Sequence, residues 1–454
     1  MNNAKKYHLL LDNEMSMESN MAVIPRGKDP IPTRSAIEEA LKRNKDFKLE
    51  AFTEEESADN DPYSKGYTAT IRYQDETFKI ELYYIKASEL HVHEYGFANH
   101  IDEESLNTAV SQEYAVGTSM YFSENNLASF HLQLKVMHAV VPDACLVIDF
   151  MSYRLLSPYW LKITCESSIP PSPDYLYTLH CVYDETENDK RRYWFHTHGL
   201  QRCGSVELEM LNIVEGSEQM HILINMIVKK FLSDPAKEKE RFTIGYDGMG
   251  INMCWLRWEE ALKDFPADML GGMADREGED NVHSDPSGVL FAVEDGNMIS
   301  PEIYASTLAV NPIYYITTEE TNRMSALAKE RFSLFCEVFG EKYNDPSKRS
   351  LFKKVFGKKE NPERSWAFLV KLGLTMDNQE SDNEREHLWF DILGIEDNKI
   401  KGKLLNQPYW IDGLNEGDIK EYPTELLTDW IIYSPEETYT PDTIYQLYVA
   451  EGRL

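Results

Sequence analysis

The sequence predicts a multidomain α+β protein, with mixed or antiparallel sheets flanked by helices. Three observations carry that prediction. At roughly 150 residues per domain, 454 residues make about three globular units. Strand-like and helix-like patterns come in runs, several strands and then a helix, rather than in the regular alternation of a parallel βαβ fold. The 42% hydrophobic and 12% aromatic content supplies buried cores, whereas a disordered chain needs few aromatics beside its charge. Breakers and composition set the expected domains at 1–168, 169–316 and 317–454.

In the first unit, Ser35 opens SAIEEALKR with Glu38 three positions on. This is a capping-box pattern, in which each side chain answers an unsatisfied N–H of the first helical turn. A strand is expected from Phe47 to Phe52. After the acidic stretch Glu54 to Asp61, Tyr67, Ala69, Ile71 and Tyr73 alternate with polar neighbours, as do Phe78, Ile80, Leu82 and Tyr84, so the two runs make a hairpin with one buried face. Leu127 to Val140 reads as a helix, and CLVIDF (Cys145 to Phe150) as a buried strand. The breaker IPPSPD (Ile169 to Asp174) follows. Strand patterns then span Tyr175 to Tyr183, Tyr193 to His198 and Val206 to Ile213, before a helix from Ser217 to Leu232. Between Gly271 and Gly288, Asp275, Glu277, Glu279, Asp280 and Asp285 face a lone Arg276, which predicts a mobile, solvated acidic loop.

The C-terminal unit opens with a second capping-box pattern, Thr317-x-x-Glu320. Met324, Leu327, Ala328, Phe335 and Val338 lie near helical spacing, for a helix of about five turns. Strands are expected at Trp366 to Leu374, His387 to Ile395, Lys399 to Leu405 and Asp429 to Tyr433, making a small antiparallel sheet or partly open barrel. The ordered motifs EHLWFDIL, GKLLNQP, GLNEGD and TDWIIY, preceded by ALAKERFSLFCEVF and AFLVKLGL, resemble the bacterial domain of unknown function 2314 over about 320–450. The longer N-terminal portion is similar to the partner region, domain of unknown function 4026. The resemblance implies this architecture and a bacterial origin, and no reaction.

Charge excludes several functions. Lys plus Arg number 46 against 77 Asp plus Glu, a net charge of −31. Nucleic acid is therefore an unfavoured partner, since phosphate binding needs a basic face. Residues 321–454 hold 18 basic and 24 acidic groups, so the acidity lies mainly in the first 320 residues. The exception is the basic run Lys348, Arg349, Lys353, Lys354, Lys358 and Lys359, which would be the contact if nucleic acid were bound. The apolar runs Leu9 to Leu11, Val136 to Met151 and His221 to Val228 fall short of a signal peptide or of the roughly 20 residues a membrane span requires. Six scattered cysteines without a CxxC pair read as reduced thiols, which points to the cytoplasm.

WFHTHGLQRCGSVELEM holds the sharpest chemical pattern. Strand alternation puts Trp194, His196 and His198 on one face, and Glu207 and Glu209 on one face of the return strand. Two imidazoles at i and i+2 with a facing carboxylate could hold Zn²⁺ or another divalent metal, and a metal-bound water would be a hydrolytic nucleophile. A second such spelling, His91 and His93 with Glu94 and His100, would join it only if the two met in space. Cys203 carries no recognised nucleophile signature, and neither GxSxG nor a phosphate loop occurs. Tyr409 and Trp410 could form an aromatic contact patch. The expectation is a cytosolic bacterial binding protein without catalytic activity, immunity-like and able to steer a basic protein partner, with no organic cofactor. The alternatives are a metal-dependent hydrolase centred on His196 and His198, and nucleic-acid binding through 348–359.

Overall fold

The structure is a computed structural model. It describes residues 7, 10, 17–55, 61–185, 191–245, 250–266, 268–278, 281–310, 318–343, 366–377 and 385–453. The fold is α+β, and it divides into two compact units: residues 1–165 with 171–316, and residues 166–170 with 317–454. Segments 1–165 and 171–316 thus share one unit, within which each builds its own sheet.

The first sheet has eight strands: β1 (Ser19–Pro25), β2 (Lys48–Glu54), β3 (Gly66–Tyr73), β4 (Glu76–Lys86), β5 (Gly96–Phe97), β6 (Tyr114–Met120), β7 (Ala144–Asp149) and β8 (Arg154–Leu156). Their order is β2-β3-β4-β6-β1-β7-β8-β5. β3 and β4 form the expected hairpin, with Tyr73 paired to Glu76 across a turn in which Gln74 adopts φ 54°. Helix Asn126–Val140 is buried on every side from Ala128 to Met137. Its buried donors find partners: Gln133 Nε2 donates to Ser19 O at 2.8 Å, and Lys135 Nζ to Cys165 O at 2.6 Å and Asp46 at 2.5 Å. The helix expected from Ser35 runs Arg34–Arg43, and its cap is Thr33 rather than Ser35, because Thr33 has the extended backbone that lets its side chain accept from Ala36 N. Glu38 pairs with Lys42 and Arg34 instead of closing a capping box.

The second sheet comprises β9 (Thr178–Glu185), β10 (Arg191–His198), β11 (Glu207–Ile213), β12 (Phe242–Ile244), β13 (Ile251–Arg257), β14 (Ser287–Glu294) and β15 (Asn297–Ile299). The order is β12-β13-β14-β11-β10-β9, with β15 on β14. β11 and β14 pair in parallel, Glu207 beside Ser287 and Glu209 beside Val289. Helix Ser217–Ser233 contributes Leu223, Ile224, Ile227 and Phe231 to a core that includes Phe195, Leu208 and Met210. That leaves the alternate residues of β10 and β11 for the opposite face. A fully buried pair, Arg202 with Asp149 at 2.8 Å, joins the turn after β10 to β7, and Arg202 also donates to Leu176 O.

The C-terminal unit is an open antiparallel sheet of β16 (Ala367–Thr375), β17 (Arg385–Glu396), β18 (Lys399–Leu404), β19 (Ile419–Pro423), β20 (Leu427–Tyr433) and β21 (Thr438–Tyr439), in the order β19-β18-β17-β16-β20-β21. It does not close into a barrel, and β19 is an edge strand the sequence did not announce. The expected five-turn helix is two, Thr318–Glu330 and Phe332–Tyr343. They part at Arg331, whose buried guanidinium donates to Pro441 O at 2.7 Å. Thr317 lies outside the described residues. Trp430 is fully buried, donates to Ala328 O and packs on Phe335. No helix among the described residues is long and apolar enough to cross a membrane.

Candidate metal centre

β10 alternates as expected: Phe195 faces the helix side, and Trp194, His196 and His198 share the other. The Trp194 and His196 rings lie 4.1 Å apart, and the His196 and His198 rings 5.0 Å apart. The neighbouring strand adds His180, which pairs directly with His196 across β9 and β10 and lies 4.9 Å from the His198 ring. Among the described residues, the ligating atoms of His180, His196 and His198 come within 4.8 Å of one another. A fourth imidazole, His283, reaches the cluster from the segment before β14, its Nε2 lying 3.3 Å from His196 Nε2.

A buried ion pair builds the roof over this face. Arg276 donates to both carboxyl oxygens of Glu209, at 3.0 and 2.6 Å, and to His283 O at 2.8 Å. Trp194 Nε1 donates to the same carboxylate at 2.7 Å, and so does Ser287 Oγ. Gly271 sits at φ 75° against Trp194, where a Cβ would come within 2.7 Å of the indole ring, and its carbonyl accepts from Arg276. Within the loop expected to be solvated, Arg276 is the exception. Asp275 and Glu277 are exposed, but Arg276 is buried, because Glu209 needs a partner.

The site's electrostatics favour neutral rings. Burial, reinforced by the neighbouring imidazoles, pushes His196 down to about 2 and His198 down to about 3. His180 and His283 are lowered as well, again chiefly by burial. A neutral imidazole is the form that ligates metal. His196 Nδ1 is buried and has no hydrogen-bond partner, while its Nε2 is the nitrogen that faces His283. Next to the rings lies a cavity of about 10 Å³, whose lining includes His196, His198, Glu207, Glu209, His283 and Asp285 but not His180.

Of the four residues expected at a metal, the two histidines converge with further imidazoles, while the two carboxylates border the cavity with their oxygens engaged by the protein. Glu209 is held by Arg276, Trp194 and Ser287. Glu207 accepts from Thr197 Oγ1 at 2.7 Å and from the backbone N–H groups of Gly199 and Gln201, and burial pushes it up to about 7. His180 and His283 were missed. His180 follows from strand register, and HCVY facing YWFH was the signal that could have found it. His283, 85 residues beyond His198, had no local signal.

The second HxH pair does not join the cluster. His91, His93, Glu94 and His100 are exposed, around a short 3₁₀ turn at Val92–Glu94 rather than on a strand. Burial pushes the Cys203 thiol up to about 12, which keeps it protonated. Tyr409 and Trp410 are 88% and 63% exposed, and their N–H groups donate to Glu386 at 2.7 and 2.9 Å. The basic run 348–359 lies outside the described residues.

Family models match the chain in three places. The N-terminal model of a protein of unknown function (DUF4026) covers residues 19–171, its C-terminal model residues 179–291, and the uncharacterised protein conserved in bacteria (DUF2314) residues 347–450. Residues 19–291 thus belong to DUF4026 and residues 347–450 to DUF2314. The imidazole cluster and its roof, from His180 to Ser287, lie within the residues that the C-terminal DUF4026 model matches. No curated protein and no solved structure matches the chain.

Proposed function

We propose that this DUF4026 protein binds a divalent transition-metal ion through His180, His196 and His198, and that it is a binding protein rather than an enzyme. The observation that supports the reading is the match of donors to space. Three neutral imidazoles converge within 4.8 Å, and two of them, His196 and His198, line a cavity of about 10 Å³. That volume admits roughly one water molecule, and so an ion. A hydrolase needs an open coordination position with room for the scissile bond. Imidazole donors suit Zn²⁺, Cu²⁺ and Ni²⁺ better than Mg²⁺ or Ca²⁺, which prefer oxygen. Elemental analysis of the full chain, purified without a histidine tag, is the test. The expected result is one transition-metal ion per chain, lost in the double variant His196→Ala, His198→Ala. Wild-type protein that holds no metal after incubation with excess Zn²⁺ overturns the reading.

A second reading, contact with a protein partner through an aromatic patch, is favoured by the exposure of Tyr409 and Trp410 on a loop fixed through Glu386. Rigid exposed aromatics make good interface anchors. The variant Tyr409→Ala, Trp410→Ala should leave metal content unchanged and abolish recovery of such a partner at low salt; undiminished recovery counts against this contact.

A further inference from the structure

We infer that the site is closed by a fourth ligand, His283, so that the bound ion fastens the loop carrying Arg276 and His283 to the second sheet; this rests on the reading that His180, His196 and His198 hold a metal. The distance argument comes first. A tetrahedral ion with metal–nitrogen bonds of roughly 2.0–2.1 Å sets its ligand nitrogens roughly 3.3–3.4 Å apart. His283 Nε2 and His196 Nε2 are separated by 3.3 Å, and the His283 ring lies 4.8 Å from the His196 ring and 5.5 Å from the His198 ring. His283 thus stands at ligand spacing from His196, one of the three strand imidazoles whose ligating atoms come within 4.8 Å of one another.

The loop is held at that distance by buried charge. Arg276 is fixed from one side by Glu209 and the Gly271 carbonyl, and from the other it grips His283 O at 2.8 Å. The imidazole is thus delivered from its own backbone, while its ring nitrogen is left to the cluster. The same 3.3 Å also suits an N–H···N hydrogen bond between the two rings, and the two arrangements make opposite predictions. If His283 only donates to or accepts from His196, it competes with an ion for that nitrogen, and removing it leaves affinity intact or raises it. If it ligates, removing it weakens binding. Four nitrogen donors with no thiolate, and with Glu207 and Glu209 engaged by the protein, make a closed site of the structural kind. Ligands drawn from a loop and from two adjacent strands then couple the loop's order to the ion.

The experiment uses the full chain, stripped with chelator and titrated with Zn²⁺, with Mg²⁺ as control. Hydrogen exchange is followed at the amides of His283 and Ser284, both of which donate to Asn281. The expected result is that Zn²⁺ slows their exchange tenfold or more and Mg²⁺ does not. His283→Ala should bind Zn²⁺ at least 100-fold more weakly, beyond the roughly 10–100-fold that orienting partners contribute, and show no protection. His283→Gln, similar in size, separates ligation from packing and should behave like the alanine variant. Zn²⁺ bound by either variant with wild-type affinity, or bound by the wild type without protecting these amides, overturns the inference while leaving the three-histidine reading standing. A wild type that binds no Zn²⁺ overturns both.

Discussion

His91 with His93 and His196 with His198 share one spelling, and the fold treats them in opposite ways. The first pair is exposed around a 3₁₀ turn, with His91 at φ 45° and only the intervening Val92 turned inward. The second lies on a strand, 3% and 7% exposed, where alternation sends both rings the same way. What separates them is the number of elements that meet each pair. Around His196 and His198, a neighbouring strand supplies His180, a return strand supplies Glu209, and a loop supplies Arg276 and His283. Two histidines at i and i+2 are thus a site only where the backbone is extended and the adjacent strands bring matching groups. Burial without such a frame would be costly; with it, the rings are held neutral and close together.

The frame can be broken at its charged corner, with the largest effect expected anywhere in the site. Arg276→Ala leaves Glu209 buried without its cation, and breaking a buried pair in this way costs about 3–5 kcal/mol. Urea denaturation at pH 7 should show a loss of that size. Replacing both partners, Arg276→Met with Glu209→Gln, should recover a substantial part of it, because no uncompensated charge remains. A cost below about 1 kcal/mol for the single variant would mean that water reaches Glu209, and the contrast between the two HxH pairs would lose its electrostatic basis.

Much of this frame was legible in the chain, and the limits were physical. Period-two alternation alone put Trp194, His196 and His198 on one face, and it gave the β3–β4 hairpin in the same way. Composition could not place Arg276. Against five nearby carboxylates it read as one more solvated charge, and only the tertiary position of Glu209 turns it inward. His180 depends on register between β9 and β10, which a sequence does not state, and His283 on a chain return through β12 and β13. Similar reasons explain the smaller differences. Thr33 and Ser35 are equally good caps by type, and their backbone angles decide between them. β19 is short, flanked by the turn at Gly417 and ended by Pro423, so it lacks a strand pattern long enough to read.

The C-terminal sheet offers a half-buried carboxylate without a comparable frame. Asp391 is pushed up to about 6 by burial, against which Lys403, its cross-strand neighbour, pulls only partly. Its folded-state value lies above the roughly 3.9 of an unfolded chain, so the folded state binds the extra proton between those values. The stability this provides is complete below about pH 4 and is lost as pH rises through about 6. Asp391→Asn should therefore raise stability at pH 7.5 by about 1 kcal/mol, after discounting for solvent screening, and leave it unchanged at pH 4. Denaturation of both proteins at the two pH values checks this. A gain that is equal at both would show that packing rather than charge distinguishes the variant.

The smallest effect is expected at the exposed HxH pair, and it is the control on which the comparison rests. His91 and His93 donate no frame hydrogen bond in the structure's described contacts and lie on the surface, where substitutions usually stay within about 0.5 kcal/mol. His91→Ala with His93→Ala should therefore leave both the denaturation midpoint and the Zn²⁺ affinity unchanged. His91→Gly should be neutral or slightly stabilising, because glycine adopts φ 45° without the Cβ penalty. Should the alanine pair lower Zn²⁺ affinity as far as His196→Ala does, the ion would not be held by burial and cross-strand register, and the spelling itself would have to be reckoned the site.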